Sequence, residues 1–122
     1  MGYRSDVVVV VSKELMPHFL AVLAKQPELV PMVFKDSDEV NKDYDGEETM
    51  LIHWTDVKWY ESYPEVDALN RFFDDCEGDD IEGVEEPWEH FRFIRLGEDA
   101  TDMVEKGCLH ACDIGFSRSL TF

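Results

Sequence analysis

Two cysteines near the C-terminus, with a histidine midway between them, are the residues best suited to hold a metal ion. Cys108, His110 and Cys112 offer thiolate and imidazole groups, the usual ligands of zinc. A structural zinc site needs four ligands, usually arranged as two such pairs, and this chain has one pair. Alternate residues of a strand share a face. The spacing therefore predicts buried thiols on one strand face, and no metal site.

A second pattern associated with metal binding lies in the acidic stretch 36–48. The fragment Asn41-Lys42-Asp43-Tyr44-Asp45-Gly46 has the spacing of the first ligands in a calcium loop. The last ligand of such a loop is a bidentate Glu, but Ile52 occupies that position, and no helices are predicted on either side. The sequence therefore predicts an Asp-Gly hairpin turn on an acidic loop.

Sequence motifs with an established catalytic mechanism do not occur in the chain. There is no phosphate-binding glycine loop, no nucleophile elbow and no His-Glu-x-x-His helix. With 28 Asp and Glu residues, pairs of carboxylates arise by chance and do not indicate acid–base catalysis. His18, His53 and His90 are isolated from one another, and each is predicted to be a core or surface histidine. We expect a protein that is not an enzyme and uses no cofactor.

The segment 74–89 carries the strongest charge feature. It contains nine carboxylates and no basic residue, and Gly78 and Gly83 interrupt any helix, so it is predicted to be a loop. A surface that engages a basic site on another protein is one interpretation, and a merely solvated loop is the other. The acids assigned to that surface are Asp74, Asp75, Glu77, Asp79, Asp80, Glu82, Glu85 and Glu86.

The overall charge limits the kinds of partner. With 11 Lys and Arg against 28 Asp and Glu, the net charge is −17 and the pI is about 4.3. Contacts from Lys and Arg to phosphates supply most of the affinity of nucleic-acid-binding proteins, so direct binding to nucleic acid is not expected. An anionic membrane surface is excluded on the same ground. The charge instead favours a protein partner with a basic surface.

An aromatic segment, 57–66, precedes a predicted helix. Packing is its predicted role, with Trp59 and Tyr63 joining that helix to the sheet. The alternative is a hot spot for partner binding, formed by Lys58, Trp59, Tyr60 and Tyr63, because Trp and Tyr dominate interface energetics.

Hydrophobic spacing predicts the first half of the fold. The uninterrupted β-branched run 7–11 is typical of a strand buried on both faces. Ser12 is a candidate cap for a helix over 15–25, where apolar residues recur every three or four positions. Pro17 lies at or just after its first turn, so the helix either begins near Met16 or kinks there. Two further strands are predicted at 31–35 and 49–54, and they could form a long hairpin.

The second half continues with a helix over 64–76, a strand over 90–96, a helical turn within 99–106 and a half-exposed strand over 113–122. The predicted order is βαββαβ with an extra C-terminal strand. This order predicts a single α+β domain over residues 1–122, with an antiparallel or mixed sheet, two helices on one face and a ferredoxin-like arrangement.

The cellular compartment is also predicted from the sequence. No apolar run approaches the ~20 residues that a bilayer-spanning helix requires. Three cysteines are an odd number, which fits free thiols in a reducing compartment better than a disulfide framework. We therefore expect a cytoplasmic protein.

Four blocks of sequence together resemble a family of small uncharacterised proteins encoded by bacteriophages and prophages. The blocks are MGYRSDV at 1–7, VKWYESYPEV at 57–66, RLGED at 95–99 and SRSLTF at 117–122. The resemblance extends over nearly the whole chain. It implies a phage origin and brings no catalytic residues with it.

Two functional hypotheses follow from the charge and the implied origin. The first is a non-enzymatic inhibitor of a nucleic-acid-handling or defence protein in the host cytoplasm, such as a restriction or CRISPR complex, acting by nucleic-acid mimicry. The second is a phage accessory or structural protein that forms a homodimer through its C-terminal strand.

Overall fold

The computed structural model describes residues 3–43, 48–99 and 101–109, and the backbone of 115–116 and 120–121. The strands are β1 (Ser5–Val11), β2 (Glu39–Asn41), β3 (Met50–Val57), β4 (Phe91–Gly97), β5 (Met103–Lys106), β6 (Gly115–Phe116) and β7 (Leu120–Thr121). The helices are α1 (Met16–Lys25), α2 (Leu29–Phe34) and α3 (Pro64–Glu77), with a short 3₁₀ turn at Pro87–Glu89. The predicted α+β class is confirmed.

The main sheet has five strands in the order β2-β3-β1-β4-β5, and every neighbouring pair is antiparallel. The valine-rich β1 lies at its centre, as predicted. Val8 illustrates this position, because it pairs with His53 of β3 on one side and with Ile94 of β4 on the other.

The helices cover one face of this sheet. Val7, Val9 and Val11 of β1 belong to a single core cluster with Phe19 of α1 and Phe73 of α3. The other face has its own buried cluster, formed by Val8, Val10, Leu51, Ile94 and Leu109. Consecutive residues of β1 therefore bury side chains on both faces, which explains why this strand has no polar alternation.

The predicted strand at 31–35 is wrong, because this stretch belongs to helix α2. Leu29, Met32 and Val33 are buried at the i, i+3, i+4 spacing of a helix. Pro31 lies in the first turn, where the backbone N–H has no partner within the helix, so the proline does not weaken it. The outer sheet neighbour of β3 is β2, whose Val40 pairs with Ile52.

The predicted helical turn within 99–106 is also wrong, since a tight turn and strand β5 occupy this stretch. The Asp99 carboxylate accepts a hydrogen bond from the Thr101 N–H at 3.0 Å, and the Gly97 N–H donates to the Asp102 carbonyl at 2.8 Å. Val104 packs against the core while its neighbours are exposed, which gives the alternation of an edge strand.

Four other predictions of secondary structure have mixed outcomes. The helix predicted over 64–76 is confirmed as α3. The helix predicted over 15–25 is confirmed as α1, which begins at Met16. Ser12 does not cap α1, because its hydroxyl lies 3.1 Å from Nδ1 of His90. The single strand predicted over 113–122 is not observed in the described backbone, where β6 and β7 pair with each other. The predicted 45–46 turn, His110 and Cys112 lie outside the described residues.

Candidate functional site

The acids predicted to form one loop surface lie on two kinds of structure. Asp74, Asp75 and Glu77 belong to the last turn of α3, which corrects the predicted loop at this point. The helix extends this far because Phe73 and Cys76 are buried on its inner face. The remaining acids lie in the connection that leads to the 3₁₀ turn.

This connection is attached to the core rather than free in solvent. Ile81 and Val84 are partly buried against the main core cluster, and Pro87 is buried. The Asp80 N–H donates a hydrogen bond to the Asp75 carbonyl at 2.8 Å, which ties the connection back to α3. The backbone that carries the acids is therefore held in place.

Two of the predicted acids make internal contacts. The Asp74 carboxylate accepts a hydrogen bond from Nζ of Lys106 at 2.8 Å, and Oε1 of Glu77 accepts one from the Gly107 N–H at 2.9 Å. The other six are exposed and have no basic partner in the part of the chain that the structure describes. We call these six the acidic surface: Asp75, Asp79, Asp80, Glu82, Glu85 and Glu86.

Carboxylates crowd one another at the end of the acidic surface. The pKa of Glu86 is raised, mainly by the negative charge of Glu89 and a hydrogen bond with it, with smaller contributions from Glu85 and Asp79. Like charges held this close repel, and a positively charged partner relieves that repulsion. The acidic surface can therefore attract a cationic group.

The aromatic segment divides into buried and accessible parts. Trp59 is only 7% exposed and its ring lies 5.3 Å from that of Trp54, so its predicted packing role is confirmed. Tyr60 and Tyr63 are partly exposed and pair with ring centroids 5.2 Å apart, and Lys58 is exposed. The buried indole N–H of Trp59 has no hydrogen-bond acceptor among the described residues, which costs about 1–3 kcal/mol.

A cleft of about 510 Å³ lies beside α3. It is lined by residues from the N-terminal segment, the β3–α3 connection, α3, β4, β5 and the turn that precedes β5: Tyr3, Trp59, Tyr60, Glu61, Asp67, Asn70, Arg71, Asp74, Phe93, Arg95, Asp102, Val104 and Lys106. Sequence reasoning missed this cleft. The available signal was a polar stripe on α3 at helical spacing, formed by residues 67, 70, 71 and 74.

A hydrogen-bond network around Asp102 forms part of the cleft lining. The Arg95 guanidinium donates two hydrogen bonds to this carboxylate, at 2.8 and 3.1 Å, and the Tyr3 hydroxyl donates a third at 2.6 Å. These contacts lower the pKa of Asp102, with Arg95 as the largest cause. The same carboxylate raises the pKa of Tyr3.

The network predicts how an Asp102→Asn substitution changes stability with pH. A carboxyl group whose pKa is lowered by folding stabilises the protein above its usual pKa of 3.8, and that contribution is lost as the pH falls through the folded-state pKa. We expect Asp102→Asn to lower the free energy of unfolding at pH 7 by about 1 kcal/mol, a value reduced for partial solvent exposure. Urea unfolding at pH 7 and pH 3 measures this, and the difference from the parent protein should shrink at pH 3. An equal difference at both pH values would contradict the assignment, and Asp36→Asn, at an exposed site, is the control.

Three nucleophilic side chains, those of Ser12, Cys76 and Cys108, lie in surroundings that do not activate them. Ser12 is buried, and its hydroxyl and the Glu14 carboxylate approach the same nitrogen of His90, Nδ1, whereas a catalytic triad uses both ring nitrogens. Burial raises the pKa of Cys76 to about 12, and burial also raises that of Cys108. Both thiols are therefore less reactive than a free cysteine.

Comparison with known proteins gives no family to assign. No family model, no curated protein and no solved structure matches this chain. Among the described residues, no helix is long and apolar enough to cross a membrane, and no three His, Cys, Asp or Glu side chains converge as metal ligands would. The geometry gives two candidate sites, the acidic surface and the cleft.

Proposed function

We propose that this protein is a non-enzymatic, phage-encoded inhibitor that acts in the host cytoplasm. Its acidic surface binds the basic surface with which a host protein, such as a restriction or CRISPR complex, contacts nucleic acid. The resemblance to phage and prophage proteins supports the origin. The net charge of −17 supports a cationic partner and disfavours direct binding to nucleic acid.

The observation that carries this proposal is the attachment of the acidic surface to the core. Duplex DNA carries one charge per ~1.7 Å of its axis, so a mimic has to hold its carboxylates in a fixed array. Of the six exposed carboxylates, Asp75 projects from helix α3, and the other five project from a connection that Ile81, Val84 and Pro87 attach to the core. A preorganised array loses less conformational entropy on binding than a flexible acidic loop does.

We also infer a ferredoxin-like arrangement for the scaffold. The strand order β2-β3-β1-β4 and the alternation of strands with α1 and α3 support this inference. Helix α2 and edge strand β5 are then additions to that arrangement. The acidic surface lies at the C-terminal end of α3, on the connection into β4.

Charge reversal at three positions tests the proposed function. Asp80, Glu82 and Glu85 are exposed and have ordinary backbone angles, so replacing them with Lys costs little stability. Each reversal adds two positive charges, so the net charge changes from −17 to −11. We expect binding to a partner captured from host lysate to weaken at least ~10-fold, because attraction becomes repulsion. Duplex DNA should compete with the parent protein for that partner.

A matched triple variant separates the acidic surface from net charge. Glu28, Asp36 and Glu39 are also exposed, and replacing them with Lys gives the same net charge of −11 by the same arithmetic. Affinity should fall by far less in this variant, and the parent's affinity should decrease between ~50 and ~200 mM salt. If both triple variants bind equally well, or lose binding equally, the acidic surface is not the docking site.

A further inference from the structure

The charges that line the cleft beside α3 leave one carboxylate without a partner. Arg71 pairs with Asp67 at 2.9 Å, and the other two cations of the lining, Arg95 and Lys106, also pair with acids of the lining. Glu61 is exposed and has no cation partner among the described residues. A positively charged ligand therefore suits the cleft better than an anion, which the net charge of −17 also opposes.

The aromatic side chains of the cleft narrow the choice of cation. Tyr60 is partly exposed and lines it beside Glu61, and the buried rings of Trp59 and Phe93, with centroids 5.9 Å apart, also belong to the lining. A guanidinium is planar, stacks on aromatic rings and offers paired donors to a carboxylate. An ammonium is a strongly hydrated point charge that gains less from a ring face. The combination of ring and carboxylate thus favours arginine over lysine.

The size of the cleft also fits an arginine within a peptide chain. A volume of about 510 Å³ is within the range of ligand pockets and accommodates one long side chain with its flanking amides.

We propose that the cleft binds an arginine side chain of the same basic partner that the acidic surface engages, an inference that rests on the proposed function. Asp74 lines the cleft and Asp75 belongs to the acidic surface, so the two sites adjoin along α3. The acidic surface supplies attraction to positive charge in general. The cleft adds selectivity for one residue type within the docked segment.

Titration with a small probe tests the cleft directly. N-acetyl-arginine amide is added to the ¹⁵N-labelled full chain, and the indole N–H signal of Trp59 and the amide signals of Tyr60 and Glu61 are followed. We expect saturable shifts, with N-acetyl-lysine amide binding at least ~3-fold more weakly. The neutral isostere N-acetyl-citrulline amide should cause no saturable shift. Absence of shifts with the arginine probe, or equal binding of arginine and lysine, would overturn the proposal.

Two single substitutions separate the cleft from general electrostatics. Glu61→Gln should weaken binding of the arginine probe about three- to fivefold, the effect of losing one exposed ion pair. Glu39→Gln removes the same charge on β2, outside the cleft lining, and should leave the affinity unchanged. Equal weakening by both overturns the proposal. Neither substitution alters the acidic surface. A failure of the arginine-binding proposal therefore does not affect the charge-reversal test of the proposed function, and a failure of that test does not affect this one.

Discussion

Replacing Phe73 with alanine is expected to lower the free energy of unfolding by about 3–5 kcal/mol. Phe73 is completely buried and stacks on Phe91 with ring centroids 5.2 Å apart and on Phe93 at 5.0 Å. Both partners belong to β4, so this one side chain joins α3 to the sheet. Truncation removes the buried apolar surface and leaves a cavity that rigid neighbours only partly fill.

This effect is large compared with the free energy of unfolding of a typical domain. Typical free energies of unfolding are about 5–15 kcal/mol, so the variant should melt far below the parent or fail to fold. Phe34→Ala makes the same chemical change on α2 at a side chain that is 46% exposed, and should cost well under half as much. Equal destabilisation of the two variants in urea titrations would show that Phe73 does not link helix to sheet.

The sequence correctly predicted the elements whose buried residues follow one regular pattern along the chain. The five valines of β1 lack polar alternation because both faces of this strand are covered. Helix α3 was predicted with nearly correct ends because Pro64 begins it, and Val66, Leu69 and Phe73 repeat at helical spacing.

The elements that were predicted wrongly are short and depend on contacts distant in sequence. Helix α2 has only six residues, which include two valines and a phenylalanine, so local propensity favours a strand. Its carbonyl at Met32 accepts a hydrogen bond from the indole N–H of Trp54 at 2.9 Å, which ties α2 to β3. In β5 the deciding contact is the antiparallel pairing with β4. Neither contact is visible in a window of neighbouring residues.

The two candidate sites also differ in how far the sequence alone predicts them. The acidic surface is contiguous in sequence, so its charge was evident, but its attachment depends on Ile81 and Val84 reaching the core. The cleft brings together Tyr3, Glu61 and Lys106, which are far apart in the chain. Composition reveals a charged segment, whereas a concave site assembled from several elements appears only once the strand order is known.

Gly107→Ala is expected to destabilise the protein by about 2–4 kcal/mol. Two effects contribute to this cost, an unfavourable backbone conformation and a steric clash. Gly107 has a φ of +80°, a left-handed conformation that costs an alanine about 1 kcal/mol. A Cβ there would also run into the backbone carbonyl of Phe91, which accepts a hydrogen bond from the Leu109 N–H at 3.2 Å. Backbone cannot move aside as a flexible side chain does, so this clash adds about 1–3 kcal/mol.

Gly83→Ala isolates the conformational part of that cost. Gly83 has a similar φ of +86°, but a Cβ at this position meets no atom within 4 Å. We therefore expect Gly83→Ala to cost only about 1 kcal/mol. Thermal unfolding of the two variants side by side gives the difference, which measures how tightly Gly107 is packed against β4. Equal melting temperatures would mean that the chain after β5 lies farther from Phe91, and that Leu109 reaches the second face of the sheet by another route.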